Sequence, residues 1–100
     1  MPTASLTRWS ERPAYDRSAE GSFYVREDCQ GRGLGAQMLE RVIAEARRLG
    51  YHTLLGRTTA SSAVSLHLSD KFGFRRVGTL REVGYKFGKF LDVHIVQLML

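Results

Sequence analysis

The stretch Gln30-Gly31-Arg32-Gly33-Leu34-Gly35-Ala36 decides the fold of this chain, because it joins a strand pattern to the longest helix pattern. Glycines in such a turn let the backbone approach an anion closely, since no Cβ intervenes. The helix that begins here directs unpaired N–H groups and the positive end of its dipole to the same point. We therefore predict a main-chain cradle for a diphosphate, with Arg32 as an additional charge. A glycine-rich turn that only starts a helix is the alternative.

The helix after this turn is predicted from about Gly33 to Leu49. Its apolar residues recur three and four positions apart and form one stripe. They are Leu34, Met38, Leu39, Val42, Ile43, Ala46 and Leu49. Arg47 and Arg48 in the last turn suit the helix dipole, and Gly50 provides a left-handed stop.

The remaining segments read as strands and one shorter helix. Strands are predicted at Ala4–Trp9, Ser18–Arg26, His52–Thr58, Phe74–Tyr85 and Phe90–Leu100, a second helix at about Ser62–Phe72, and a loop at Ser10–Arg17. The order β-β-α-β-α-β-β predicts an α/β (α+β) fold with a mixed central sheet flanked by helices, as one domain over residues 1–100. The last strand is apolar on both faces, which predicts cover on both sides.

Composition excludes several classes of protein. The 100 residues are 43% hydrophobic, enough for one core but not for two domains. No apolar run approaches the roughly 20 residues of a membrane-spanning helix, and the polar first ten residues predict no secretion signal. Cys29 is the only cysteine, which excludes an internal disulfide and suits the cytoplasm. Cys29 and the three histidines are too scattered for a zinc motif, so no metal is expected.

The formal net charge of +5, mostly in residues 51–100, favours an anionic partner, either a phosphate-bearing small molecule or a nucleic acid. Two phosphate-binding patterns compete for the glycine-rich stretch. Gly31-x-Gly33-x-x-Ala36 fits the dinucleotide fingerprint, but residues 51–58 lack the acidic residue that this fingerprint needs. A P-loop is excluded because no Gly-Lys-Ser/Thr is present. The other pattern, Gln/Arg-x-x-Gly-x-Gly/Ala, is satisfied by Gln30 to Gly35.

With this last pattern the chain resembles the GNAT superfamily of acetyl-CoA-dependent N-acetyltransferases. Further matches, in order and spacing, point to its phosphinothricin acetyltransferase-like branch. They are Arg12-Pro13-Ala14-Tyr15, Glu20-Gly21-Ser22-Phe23-Tyr24-Val25, Gly73-Phe74-Arg75-Arg76-Val77-Gly78, residues 80–88 and Leu91-Asp92. The resemblance implies an acyl-CoA N-acyltransferase-like fold that is N-terminally shortened. It also implies transfer of an acetyl group to the amine of an amino-acid-like substrate of phosphinothricin or methionine-sulfoximine type.

The resemblance further implies roles for individual residues. The cofactor-binding set comprises Phe23, Tyr24 and Val25 for pantetheine and the thioester carbonyl, Gln30, Gly31, Arg32, Gly33, Leu34, Gly35 and Ala36 for the diphosphate, and Ser62. Glu20 is expected to be the general base, with a solvated glutamate as the alternative. Arg12 and Tyr15, with Arg17 nearby, are expected to bind a substrate carboxylate or phosphinate, with a solvated loop as the alternative. Phe87 and Phe90 would wall the same cleft or belong to the core.

The chain also departs from the branch. Ser62 replaces an asparagine that bonds pantetheine, and Ser69 replaces a histidine near the thiolate leaving group. A serine hydroxyl is a poor general acid, and His67 lies on another helix face and is expected to face solvent. The missing first half is expected to leave apolar surface and an open strand edge on Ala4–Trp9 or Ser18–Arg26. We therefore expect a homodimer or a completing chain.

Three functions remain open from these observations. The first is an active N-acetyltransferase that uses acetyl-CoA and a small-molecule amine. The second is a non-catalytic CoA-binding or interaction module derived from such an enzyme. The third, a basic nucleic-acid-binding domain, fits the net charge but lacks interleaved aromatic residues and a known reading module. The first is preferred, and neither a nucleic-acid nor a membrane partner is expected.

Overall fold

The computed structural model describes residues 3–24, 33–59 and 63–100. The described elements are β1 (Thr3–Arg8), β2 (Ser18–Tyr24), α1 (Leu34–Arg48), β3 (Thr53–Thr59), α2 (Ala63–Lys71), β4 (Arg75–Lys86) and β5 (Lys89–Met99). A short 3-10 turn at Pro13–Tyr15 lies in the loop between β1 and β2. The order of elements is the predicted one. Neither helix in these ranges is long and apolar enough to cross a bilayer.

The sheet has the strand order β1-β2-β3-β5-β4. Strands β2 and β3 run parallel, and the other neighbouring pairs are antiparallel. The parallel pair arises because α1 carries the chain from the end of β2 back to the start of β3. The mixed sheet is thereby confirmed. Within the described residues β1 and β4 are its two edges, so the predicted open edge at the first strand is present.

The parallel pairing of β2 with β3 is short. It joins Ser18–Glu20 to Thr53–Leu55 and ends with the pair Glu20 and Leu55, although β2 continues to Tyr24 and β3 to Thr59. Beyond this point β2 remains paired with β1, and β3 remains paired with β5. A gap therefore opens between the carboxyl ends of the two parallel strands.

The core lies between one face of the sheet and the two helices. On α1 the buried residues are spaced as the sequence predicts; they are Leu39, Val42, Ile43 and Ala46. They pack with Ala19, Leu54, Phe74 and Val96 of the sheet side. Leu68 and Phe72 of α2 are partly buried against the same cluster. Burying such side chains contributes about 1.5–3 kcal/mol each, which makes this helix–sheet contact the main stabilising one.

Both ends of α1 are formed by left-handed glycines. Gly33 caps the amino end with φ of 75°, and Gly50 follows the carboxyl end with φ of 83°. At the carboxyl end the N–H of Tyr51 donates to the carbonyl of Ala46, and the N–H of Gly50 donates to that of Arg47, each at 3.1 Å. This is the Schellman pattern, and it confirms the predicted stop at Gly50.

The exposed surface differs from the expectations in two places. Val96 is the only buried residue of β5 because both described helices pack on one face of the sheet, so this strand is not covered on both sides. Among the described side chains, β1 and β2 hold no exposed large hydrophobic residue, and most exposed large hydrophobic residues lie on β4 and β5. The side chains of residues 22–26 lie outside the described ones, so the expected apolar surface there stays a prediction. Phe87 is 89% exposed and Phe90 is 64% exposed, so neither belongs to the core.

Candidate active site

A cleft of about 90 Å³ occupies the gap between β2 and β3. Gly21 and Gly56 line it from the two strands, Val42 lines it from α1, and Ser65 and Ser69 line it from α2. A Cβ added at Gly56 would lie 3.8 Å from the carbonyl oxygen of Gly21. The main chain of β2 at Gly21 therefore faces the main chain of β3 at Gly56 across the gap, and neither glycine has a side chain that could fill it.

The main chain of Phe23 and Tyr24 borders this gap. These residues pair with Ala4 and Thr3 of β1, and the pairing of β2 with β3 has already ended at Glu20. The strand edge on the β3 side therefore carries donors and acceptors that the parallel ladder does not use. Val25 lies outside the described residues.

The amino end of α1 presents a row of main-chain donors. The N–H of Gln37 donates to the carbonyl of Gly33 at 3.1 Å, which is the first bond of the helix. The N–H groups of Leu34, Gly35 and Ala36 precede it and have no acceptor within the helix. Among the described residues, no side chain bonds to the N–H groups at this helix end, and a Cβ on Gly33 would meet nothing within 4 Å. Such an end suits an anion.

The rest of the predicted diphosphate cradle, Gln30, Gly31 and Arg32, lies outside the described residues, and so does Ser62. The part of the cradle that the structure describes is therefore its helical half.

Glu20 lies at the point where the two parallel strands separate, since it forms the last pair of the ladder. Its Oε2 is 3.1 Å from Nε of Arg57, and the two side chains are 24% and 56% exposed respectively. The guanidinium carbon of Arg57 lies 5.6 Å from the ring centroid of Trp9. Because side chains alternate along a strand, Glu20 and Arg57 lie on the sheet face opposite to the helices.

Sequence reasoning missed Arg57 and Trp9. Arg57 lies two residues beyond Leu55, the partner of Glu20, and so reaches the same face of the sheet one step further along β3. Trp9 follows β1 and donates its main-chain N–H to the carbonyl of Ser18 at 3.1 Å. These neighbours depend on the register of three strands, and no local pattern of residues specifies it.

The predicted substrate loop is present but is not joined to Glu20. Arg12 and Tyr15 are exposed on the 3-10 turn, where the N–H of Tyr15 donates to the carbonyl of Arg12 at 2.9 Å. In the described part of the chain no hydrogen bond or ion pair links either side chain to Glu20. Arg17 anchors the loop through its carbonyl, which accepts from the N–H of His52 at 2.7 Å.

Helix α2 carries the position at which the sequence departs from the resemblance. Ser69 is 9% exposed and lines the cleft, whereas His67 is exposed, as expected. A buried hydroxyl in the cleft can donate one hydrogen bond to a group bound there. The histidine is on another face of the helix and cannot replace it. Within residues 3–24, 33–59 and 63–100, no three His, Cys, Asp or Glu side chains gather in a metal-binding arrangement.

The structure thus combines two parallel strands that separate beyond Glu20 with a connecting helix whose amino end presents main-chain donors. Residues 3–74 match the sequence profile of the acetyltransferase (GNAT) family. The chain belongs to the GNAT acetyltransferase family. The matched range includes both strands of the split, the whole of α1 and α2.

Named relatives of this GNAT chain are acetyltransferases of the branch that the resemblance indicates. It is 38% identical over 97 residues to the L-amino acid N-acyltransferase MnaT of Escherichia coli, which covers 97% of this chain and 56% of the relative. It is 34% identical over 90 residues to the phosphinothricin N-acetyltransferase of Streptomyces coelicolor, covering 90% and 53%. Others are named L-methionine sulfoximine/L-methionine sulfone acetyltransferases. The chain thus spans about half the length of the curated relatives it matches.

A solved structure shares the fold. The putative acetyltransferase yncA of Salmonella typhimurium, determined with its cofactor acetyl-CoA, superposes with a TM-score of 0.92 at 36% identity. The match covers 99% of this chain and 57% of that one. The GNAT fold of the chain is therefore shown by structure as well as by sequence.

Proposed function

We propose that this chain is the acetyl-CoA-binding part of an N-acetyltransferase that acts on the amine of a small amino-acid-like molecule, of phosphinothricin or methionine-sulfoximine type. The observation that carries the proposal is the gap between β2 and β3, with Glu20 at its vertex. The names of the relatives support the substrate class.

The residues around the gap fit acetyl-CoA. The main-chain donors of Leu34, Gly35 and Ala36 suit its diphosphate, and we assign Gln30, Gly31, Arg32 and Gly33 to the same cradle. The open edge of β2 at Phe23 and Tyr24, with Val25, suits the pantetheine amides and the thioester carbonyl. Ser62 is assigned a pantetheine contact. These assignments require no charged side chain inside the cleft.

The proposed acetyl transfer needs a base near the acetyl group, and Glu20 is the candidate. When it is bound, acetyl-CoA would supply an acetyl thioester, whose carbonyl carbon accepts a neutral amine as the C–S bond breaks and coenzyme A leaves as the thiol. An amino acid carries its amine as an ammonium group at neutral pH, so a base must take one proton first. We assign this step to the carboxylate of Glu20, directly or through a water molecule. Arg12 and Tyr15 are assigned to the acidic group of the substrate.

Two measurements test the proposal in order. Acetyl-CoA should raise the melting temperature of the chain, because a ligand that binds only the folded state stabilises it. Release of free thiol from acetyl-CoA with L-methionine sulfone should then be abolished or strongly lowered in Glu20→Gln, while the acetyl-CoA shift is retained. Glu40→Gln, on the exposed side of α1, is the control and should match the parent chain. Unchanged turnover in Glu20→Gln would remove Glu20 from the mechanism.

A non-catalytic CoA-binding module is the second candidate. The buried Ser69 in the cleft favours it, because a hydroxyl is a poor acid for a leaving thiolate. A melting shift with acetyl-CoA and no thiol release from any amino acid would select this candidate.

We further propose that the chain works with a second copy of itself or with a completing polypeptide, in the cytoplasm. The open edge of β1 and the exposed apolar side chains on β4 and β5 support a partner. The single cysteine supports a reducing compartment. A sharp monomer mass in light scattering at micromolar concentration would contradict the partner.

A further inference from the structure

We infer that Arg57 is a specificity-determining residue, and that with Glu20 it forms one acceptor for both charges of an α-amino acid. Glu20 accepts hydrogen bonds from the α-ammonium group, and the guanidinium of Arg57 donates to the α-carboxylate, which leaves Arg12 and Tyr15 for an acidic group in the substrate side chain such as a phosphinate. This inference rests on the proposed function, because it assigns the substrate side of the same site. Nothing in the resemblance gives Arg57 a role.

The geometry of the pair supports this assignment. Glu20 and Arg57 meet through the Nε side of the guanidinium, with Nε 3.1 Å from Oε2. A guanidinium carries five N–H donors, so a contact on its Nε side leaves the outward N–H groups of its two terminal nitrogens for a second carboxylate. Within the described ranges, Oε1 of Glu20 has no hydrogen-bond partner. In an α-amino acid one carbon atom holds the ammonium and carboxylate groups close together. Glu20 and Arg57 lie side by side and offer a negative and a positive charge at a similar spacing.

The position of the Glu20–Arg57 pair also favours a substrate-binding role over a purely structural one. The pair lies at the vertex of the gap, on the sheet face opposite to α1 and α2, whereas the helical half of the diphosphate cradle belongs to α1. Arg57 also lines the cleft, so a substrate held by the pair lies beside the proposed acetyl-CoA site. More than half of the Arg57 side chain is exposed, so its donors are open to this face.

Trp9 fixes the direction of the guanidinium. The Cζ of Arg57 lies 5.6 Å from its ring centroid, which is within the range of a cation–π contact. Held at Nε by Glu20 and over the ring of Trp9, the arginine loses less conformational freedom when a carboxylate binds. Pre-arrangement of this kind favours a planar, two-pronged carboxylate over a neutral group.

The test compares L-methionine sulfone with 3-(methylsulfonyl)propylamine, the same molecule without its carboxylate. Arg57→Gln should lower kcat/KM for the amino acid by about 10- to 100-fold, mainly through KM, because a charge-assisted contact to the bound substrate is lost. The value for the amine should change by less than about threefold. Arg57→Lys should recover part of the loss, and Arg41→Gln, an exposed arginine on α1, should leave both values unchanged.

The outcomes separate this inference from the proposed function. If Arg57→Gln lowers kcat/KM equally for both compounds, the arginine is structural and the inference fails while the acetyltransferase assignment stands. If the parent chain releases no thiol, binding of the two compounds is measured by NMR titration instead. Preference for the amino acid that Arg57→Gln removes then supports the inference, and equal or absent binding overturns it. Circular dichroism of each variant confirms that it is folded.

Discussion

Gly21 of β2 lies directly beneath Val42 of α1: a Cβ placed on this glycine would be 2.7 Å from Cγ1 of Val42 and 3.3 Å from Cδ1 of Leu54. Both of those side chains are buried, so neither can move away freely. The helix therefore approaches β2 to a distance that only glycine permits, and this close contact occurs at the beginning of the cleft.

We expect Gly21→Ala to lower the free energy of unfolding by about 1–3 kcal/mol, because one extra methyl group over-packs the contact. Gly78→Ala is the matched control, since a Cβ there meets nothing within 4 Å. It should change stability by no more than about 0.5 kcal/mol. Urea denaturation of both variants compares them, and equal stability of the two would show that α1 does not press on β2.

The long strand β4 contains a bulge that is held by one side chain. Between the pairs Leu80–Val93 and Gly84–Leu91 the register shifts, and Glu82 has a left-handed φ of 55°. Its N–H donates to Oδ1 of Asp92 at 2.8 Å. Asp92→Ala should cost about 1–2 kcal/mol of stability by removing this acceptor, and Asp92→Asn should keep most of it.

Glu82→Gly at the same bulge should have the opposite effect. Relief of the left-handed conformation should raise stability by about 0.5–1 kcal/mol, less than the full cost of that conformation because glycine loses more backbone freedom on folding. Chemical denaturation of Glu82→Gly, Asp92→Ala and the parent chain measures both signs. A destabilised Glu82→Gly would mean that the glutamate side chain stabilises the bulge.

The turn between β4 and β5 carries an unfavourable residue. Phe87 and Gly88 have φ of 53° and 74°, and Lys86 pairs with Lys89 across them. Such two-residue turns favour Asn-Gly, and a bulky residue in a left-handed conformation costs about 1–2 kcal/mol. The contact of the Lys86 Nζ with the Phe87 ring, at 5.2 Å, returns only about 0.5 kcal/mol.

Phe87→Asn should therefore raise the melting temperature. Phe90→Asn is the comparison, and it should lower the melting temperature because Phe90 makes an edge-to-face contact with Tyr85, with ring centroids 5.0 Å apart. Differential scanning calorimetry on both variants measures the two shifts. A loss of stability in Phe87→Asn would indicate that the exposed ring is bound by a partner in solution.

A pH-dependent ion pair lies in the last turn of α1. The Nε of Arg48 donates to Oε2 of Glu45 at 3.0 Å. This hydrogen bond, together with the guanidinium charge, lowers the pKa of Glu45 below its ordinary value of 4.5, and the same contact raises the pKa of Arg48. A carboxylate with a lowered pKa stabilises the fold above its unfolded pKa, and that contribution is lost as pH falls through the folded pKa.

Arg48→Gln should accordingly reduce thermal stability slightly at neutral pH, and the difference from the parent chain should disappear as the pH falls through the lowered pKa of Glu45. The effect is small because both side chains are exposed to solvent. Melting curves of Arg41→Gln over the same pH range provide the reference for a lost positive charge. A difference that persists at low pH would mean that Arg48 acts through its aliphatic chain.

The elements of this fold could be predicted because each has a strong local pattern. The three- and four-residue spacing of Leu39, Val42, Ile43 and Ala46 defines α1, and Gly33 and Gly50 mark its ends. Cover of β5 could not be predicted in this way. A strand that is apolar on both faces reads as buried, but burial depends on how many layers the chain supplies.

The candidate site could be predicted only in part, for a similar reason. Glu20 stands in a sequence stretch that resembles the family, whereas its partner Arg57 is 37 positions away and resembles nothing in particular. The ion pair between them depends on a parallel register of three residue pairs. Register is decided by the packing of whole strands on α1, which local patterns do not report.

Only three residue pairs join the strands β1–β2 to the strands β3–β5–β4, so this short junction is a seam in the sheet. Thermal opening should begin along this seam, since few main-chain bonds must break there. A molecule bound in the seam would contact both groups of strands and hold them together. The short pairing of β2 with β3 thus leaves room for a ligand, and a bound ligand would in turn stabilise the sheet.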